Sequence, residues 1–253
     1  MSKLPDEHKF LDLSDYGRPF AQIIANSLKE SSYTPIHVTI WFVVSGLIAI
    51  FCILNDYVWA AAFFLILKSI LDAADGELAR VKNTPSYTGR FLDSISDIIL
   101  NLLIFIAIWY TSDSSLFLTF LAFLGIQLQG TLYNYYYVII RNNSNGDTTS
   151  RVFEYDTPIA LKGESQENVN LLFKIYKLLY GIFDKAIYKL DSNAYKCKTF
   201  PSVFMTFVSI FGLGFQLLII AIMLVLGYKV FIIPFFIWYT LLVLVFIGIR
   251  KLF

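Results

Sequence analysis

Hydrophobic positions along the chain fall into six long runs, at 38–54, 57–81, 91–110, 116–140, 203–226 and 230–249. About 20 helical residues cross the hydrocarbon core of a bilayer, so each run is read as a membrane-spanning helix. The first, fourth, fifth and sixth runs contain no charged residue, whereas the second holds Lys68, Asp72, Asp75, Glu77 and Arg80 and the third holds Asp93 and Asp97. Charge is therefore concentrated in two neighbouring helices. Two further segments are amphipathic. After Pro19, Phe20, Ile23, Ile24 and Leu28 recur at helical spacing, which predicts a short helix lying on the membrane surface. Between the fourth and fifth runs, 141–170 is rich in Asn, Ser, Thr, Gly and acids and reads as loop. Its continuation, 171–190, predicts a helix with Leu172, Ile175, Leu179, Ile182, Phe183 and Ala186 on one face and Lys174, Lys177, Lys185 and Lys189 on the other. Anchoring to an anionic membrane surface is the simplest role for such a helix, ahead of binding a phosphorylated substrate. The predicted fold is thus an all-α integral membrane protein. An interfacial leader at 1–35 precedes a six-helix membrane domain at 36–253 that carries a cytoplasmic insertion at 141–200.

Composition supports this reading: 57% of the 253 residues are hydrophobic and only 15% charged, with a mean hydropathy of +0.63. These values exclude a disordered chain and an ordinary soluble domain. A formal charge of +1 gives no overall basic field for a nucleic-acid partner. Cys52 in an apolar run and Cys197 in a lysine-bearing stretch form neither a disulfide framework nor a zinc pattern.

The placement of Lys and Arg does change the picture. Eighteen of the 20 fall in the leader, the second-to-third connection, the fourth-to-fifth connection and the C-terminal end. Because cytoplasmic loops carry the Lys/Arg excess, both termini are predicted to be cytoplasmic. The first 35 residues lack the apolar core of a cleavable signal, so the first span is expected to be retained.

Acids inside a membrane helix cost about 2.5 to 3.5 kcal/mol each on insertion scales, and they are expected to face a wet, functional interior. Asp72 and Asp75 are three apart, and Asp93 and Asp97 four apart, so each pair shares a helix face. A short cytoplasmic turn joins the two helices, which lets both pairs converge on one cavity near the same membrane surface. Four carboxylates in low dielectric repel one another unless a cation lies among them. Hard oxygen donors suit two Mg²⁺ or Mn²⁺ ions, and a two-metal clamp suits displacement at phosphorus. Gly76 and Ala79 share the first acid face and Gly89 shares the second, leaving room for a phosphate or nucleotide. Arg80 supplies a cation for phosphate oxygens at the cytoplasmic mouth.

The run from Asp72 to Asp97 fills all eight fixed positions of a D-x2-D-G-x2-A-R-x8-G-x3-D-x3-D pattern. It resembles the signature of the CDP-alcohol phosphatidyltransferase family. Thr34-Pro-Ile-His37-Val-Thr39 also resembles the Thr-Pro-Asn-x-Val-Thr that often opens these proteins, with Ile in place of Asn. The resemblance implies six spans with cytoplasmic ends, a homodimer, and cleavage of a CDP-linked substrate with departure of CMP. It implies metal ligation by Asp72, Asp75 and Asp93. Asp97 would act as general base and also touch a metal. A nucleotide site would be formed by Asp75, Gly76, Ala79, Arg80 and Gly89.

Lys68, one turn deeper than Asp72, is read either as a counter-ion or as an acceptor-binding group, since an unpaired cation there is costly. Gln127, Gln129, Asn134 and Tyr133, Tyr135, Tyr136 and Tyr137 in the fourth run are read as interhelical hydrogen bonds and an aromatic belt in preference to an acceptor pocket. Ser94 after Asp93 and Ile98 after Asp97 depart from the Asp-Pro and Asp-Lys pattern of the glycerophosphate and cardiolipin branches. The leading expectation is transfer of a phosphatidyl group from CDP-diacylglycerol to a polar alcohol, at a site facing the cytoplasm and among membrane lipids. A CDP-linked head group transferred to a diacylglycerol-like lipid is the alternative. A divalent-cation transporter is a remote third, disfavoured because the outer halves of the spans are apolar.

Overall fold

The computed structural model describes residues 4–144, 152 and 154–253 and contains no strand among them. Ten α-helices follow in order: α1 Arg18–Leu28, α2 Pro35–Leu54, α3 Val58–Val81, α4 Tyr87–Ser112, α5 Leu116–Asn143, α6 Gln166–Leu190, α7 Ser202–Val208, α8 Leu213–Val225, α9 Ile232–Tyr239 and α10 Leu241–Arg250. Their ends follow local chemistry. Pro35 starts α2 behind Thr34, whose backbone N–H donates to His37 Nδ1 at 3.1 Å. The Ser86 hydroxyl caps α4 by accepting from Gly89 N at 2.8 Å. Asp113, in the left-handed region at φ 50°, ends α4.

The helices α2, α4 and α5 and the segment Lys229–Arg250 are long and apolar enough to cross a membrane, and the α7–α8 pair makes a fifth candidate. The protein is therefore a multi-pass membrane protein. α3 is of similar length, but its charged residues set it apart from these helices. It lies in the interior of the bundle, with α1, α2 and α8 packed against it. Its Leu71, Ala74 and Leu78 pack with Ala21 and Ala25 of α1 and with Val38 and Phe42 of α2.

Three elements differ from the sequence expectation. The run 203–226 is not one straight helix: α7 and the turn after it meet α8 at a bend of 53°. The break falls at Gly212, whose backbone is extended, and the leader turn Leu13–Asp15 packs into it. A Cβ at Gly212 would overlap the Ser14 hydroxyl, and one at Gly214 would overlap the Ser14 carbonyl oxygen. Leu13 N donates to Ser209 Oγ at 2.9 Å, which ties the leader to the bend. α1 forms as expected but docks on α3 through small Ala21 and Ala25, with Phe20 and Ile23 turned outward. α6 buries Val169, Phe173, Tyr176, Phe183 and Ile187, a stripe offset from the predicted face. Its N-terminal half packs on Phe91 and Ile95 of α4, because an aromatic protein surface is available to it there.

A buried ion pair joins the end of α6 to the last helix. Arg250 Nε donates to Asp191 Oδ2 at 2.7 Å, and Tyr136 of α5 donates to the same oxygen at 2.7 Å.

Close approach of backbones at Gly214 makes a direct test of the leader's docking. Gly214→Ala is expected to lower stability by about 1 to 3 kcal/mol through overpacking, read as a lower Tm in nanodiscs. An unchanged Tm would show that the leader does not seat in the bend.

Candidate active site

The site is built from the C-terminal half of α3 and the N-terminal half of α4, which face each other. The chain reverses between them through Asn83, in the left-handed region at φ 53°, with Thr84 N donating to the Ala79 carbonyl at 2.9 Å. This reversal brings Asp72 and Asp75 of α3 against Asp93 of α4, with one carboxylate oxygen from each lying within 4.8 Å of the others. Asp75 is buried, and its Oδ2 accepts from Thr39 Oγ1 of α2 at 2.7 Å. Asp93 Oδ1 is buried with no hydrogen-bond partner.

These features fit a divalent cation. Buried acceptors are normally satisfied, so an unpartnered buried oxygen on one of the three acids is open to a cation. Three hard oxygen donors match Mg²⁺ or Mn²⁺ chemistry and not that of soft metals.

Asp97 stands apart from the triad. Its Oδ1 accepts from Lys68 Nζ at 2.6 Å. Lys68 is 0% exposed and lies over the Phe42 ring, 4.9 Å from its centroid. Of the two roles open to Lys68 in the sequence, its geometry is that of a counter-ion to Asp97.

A cavity of about 1070 Å³ opens beside the acids and is lined by Asp72, Asp75, Asp93 and Asp97 together with Gly76, Ala79, Arg80 and Gly89. Every motif residue thus reaches one space, whereas Lys68 sits behind its wall. The Arg80 guanidinium overlies Gly76, 3.5 Å from where a Cβ would stand. Arg80 Nη2 pairs with Glu77 Oε1 at 3.0 Å. Glu77 also pairs with Arg18, which in turn pairs with Asp15, so the leader fixes the acid that orients Arg80.

Sequence reasoning missed much of the remaining lining. Asp12, Ser14 and Asp15 come from the leader turn, and Lys162, Gly163 and Glu164 come from the insertion. The three-residue spacing of Asp15 and Arg18 was the only local signal for the first group, and the 161–165 sequence carries none. The polar positions of α5 divide. Tyr133, Asn134 and Tyr137 line the cavity, with Tyr133 Oη donating to Asp12 Oδ2 at 2.5 Å. Gln129 bridges helices: its Nε2 donates to Thr240 Oγ1 at 2.9 Å, and its Oε1 accepts from Gln216 Nε2 at 3.0 Å. Tyr135 and Tyr136 donate to Asp191.

Removing one partner of a buried ion pair leaves the other uncompensated. Lys68→Met is expected to destabilise the protein by about 3 kcal/mol, whereas the double variant Lys68→Met/Asp97→Leu should regain most of that loss. Thermal unfolding of both variants in nanodiscs checks this, and equal Tm values for Lys68→Met and wild type would remove the pairing.

The family comparison agrees with this geometry. No curated protein matches the chain. The sequence model of the CDP-alcohol phosphatidyltransferase family matches residues 32–160, a stretch that contains α2 to α5, Thr39 and all four acids. That is just over half of the chain, and the protein belongs to the CDP-alcohol phosphatidyltransferase family.

Proposed function

We propose that the protein is a phospholipid synthase that transfers a phosphatidyl group from CDP-diacylglycerol to a polar alcohol and releases CMP. The observation that carries this reading is the meeting of Asp72, Asp75 and Asp93 at a cavity lined by the other motif residues of the family. In this proposal α3 is the sixth span, its charged face turned to the cavity and its apolar residues to α1, α2 and α8. Both termini are cytoplasmic, as the Lys and Arg distribution argues, and the cavity opens to the cytoplasm. The chain then divides into a leader at 1–35 and a catalytic domain at 36–253 with the insertion at 141–200; leader and insertion both contribute lining residues.

Asp72, Asp75 and Asp93 would hold Mg²⁺ or Mn²⁺, and Asp97, which lines the same cavity, would add a ligand to a two-metal site. When bound, the ions would neutralise and polarise the diphosphate of the donor. Arg80, oriented by Glu77, binds phosphate oxygens, and the small residues Gly76, Ala79 and Gly89 admit the nucleotide. The acceptor hydroxyl lies beside Asp97, whose Oδ1 is held by Lys68, which leaves Oδ2 to take the hydroxyl proton. The hydroxyl oxygen forms a bond to the phosphatidyl phosphorus. The bond from that phosphorus to the bridging oxygen breaks, and CMP departs with the electron pair.

CMP release by purified protein in nanodiscs with Mg²⁺ or Mn²⁺ tests the reading, using CDP-diacylglycerol with a panel of polar alcohols. Release is expected with this donor, and Asp97→Asn should lose about 10³-fold in turnover while still binding CMP. Release only from CDP-choline or CDP-ethanolamine with diacylglycerol would reverse the roles of lipid and head group. Undiminished turnover in Asp97→Asn would remove its role as base.

A further inference from the structure

The insertion grips the start of α4 chiefly through the Glu164 carboxylate. Glu164 Oε1 accepts from Thr88 N at 2.6 Å and from Ser86 Oγ at 2.8 Å, while Oε2 accepts from Leu161 N at 3.0 Å and Tyr87 N at 3.2 Å. These donors include the first turn of α4 and its capping serine. Ser86 Oγ in turn accepts from Gly89 N at 2.8 Å, so a continuous hydrogen-bonded path runs from Glu164 to a glycine that lines the cavity. A second tie supports the first: Arg90 Nη2 donates to Glu154 Oε1 at 2.6 Å, and its guanidinium lies over the Phe91 and Tyr176 rings.

Partial burial alone would raise the Glu164 carboxyl. The hydrogen bonds from Thr88 and Ser86 outweigh that effect and hold it below the ordinary glutamate value. The carboxylate is therefore charged at neutral pH, opposite the positive end of the α4 dipole. Its anchoring contribution is present above the ordinary carboxylate range and is lost only as pH falls through its lowered value.

Glu164 lies outside the family-matched segment 32–160, and it lines the cavity together with Lys162 and Gly163 of its own loop. We infer that Glu164 is a positioning residue for the donor: it fixes the first turn of α4 so that Gly89 and Asp93 present to the nucleotide in one arrangement. Glu164 does not itself touch the reacting atoms. The inference rests on the phosphatidyltransferase reading, because it takes the Gly89 side of the cavity as the nucleotide side.

Calorimetric titration of CMP with Mg²⁺ into nanodisc-embedded protein tests it, since Kd and binding stoichiometry are read separately. A merely structural cap would lower the fraction of competent chains and leave Kd unchanged. Loss of the positioning contact should instead raise Kd about tenfold in Glu164→Ala, a factor that one charge-assisted hydrogen bond can supply. Glu164→Asp should recover part of that loss. Glu164→Gln keeps one acceptor oxygen and gives a second reading should Glu164→Ala not fold; its Kd should also rise. An unchanged Kd in the folded variants would overturn this inference alone. Failure of wild-type protein to bind CMP would overturn the phosphatidyltransferase reading and this inference with it.

Discussion

Three carboxylates held within 4.8 Å of one another, among apolar helices, form an arrangement that repels itself. Burial strengthens the repulsion because little solvent screens it. The surrounding protein is organised to hold this arrangement rather than relieve it. Thr39 binds Asp75, Lys68 neutralises Asp97 from below, and Asp93 keeps an oxygen with no protein partner. A divalent cation placed among these acids would turn the repulsion into attraction.

Positioning the acids requires the rest of the fold. α3 and α4 can place their acids face to face only because the turn between them is short and α3 lies deep in the bundle. α1 and the leader turn close the space beside α3, and the bend at Gly212 exists where the leader enters. The ion pairs from Asp15 through Arg18 and Glu77 to Arg80 carry that docking into the cavity. On the opposite side, the insertion grips the start of α4 through Glu164 and Glu154. Segments that look peripheral in the chain thus form walls of the site.

The acid face was legible in the sequence because helical spacing maps directly onto geometry. Asp72, Asp75 and Asp93 needed only the period of a helix and a short turn to be brought together. Four of the apolar runs, or five with the bent pair, were legible because length and hydropathy alone mark a helix able to cross a membrane. What was hidden depended on contacts distant in sequence. Nothing local marks Glu164 as a partner of Thr88, or Ser14 as the residue that fits between Gly212 and Gly214. The bend in 203–226 was missed because hydropathy is blind to backbone direction, although Gly212 and Gly214 stand at the break. The buried stripe of α6 was misplaced by periodicity, since the aromatic surface of α4 decides which of its apolar residues turn inward.

The most direct measurement is Mn²⁺ binding by the purified protein, followed through the loss of the free-ion signal in electron paramagnetic resonance. Saturable binding to wild-type chains is expected, with a marked loss of affinity in Asp75→Asn and Asp93→Asn and competition by Mg²⁺. Binding left intact in both variants, or no saturable binding to the wild type, would contradict the assignment of these acids as a metal centre.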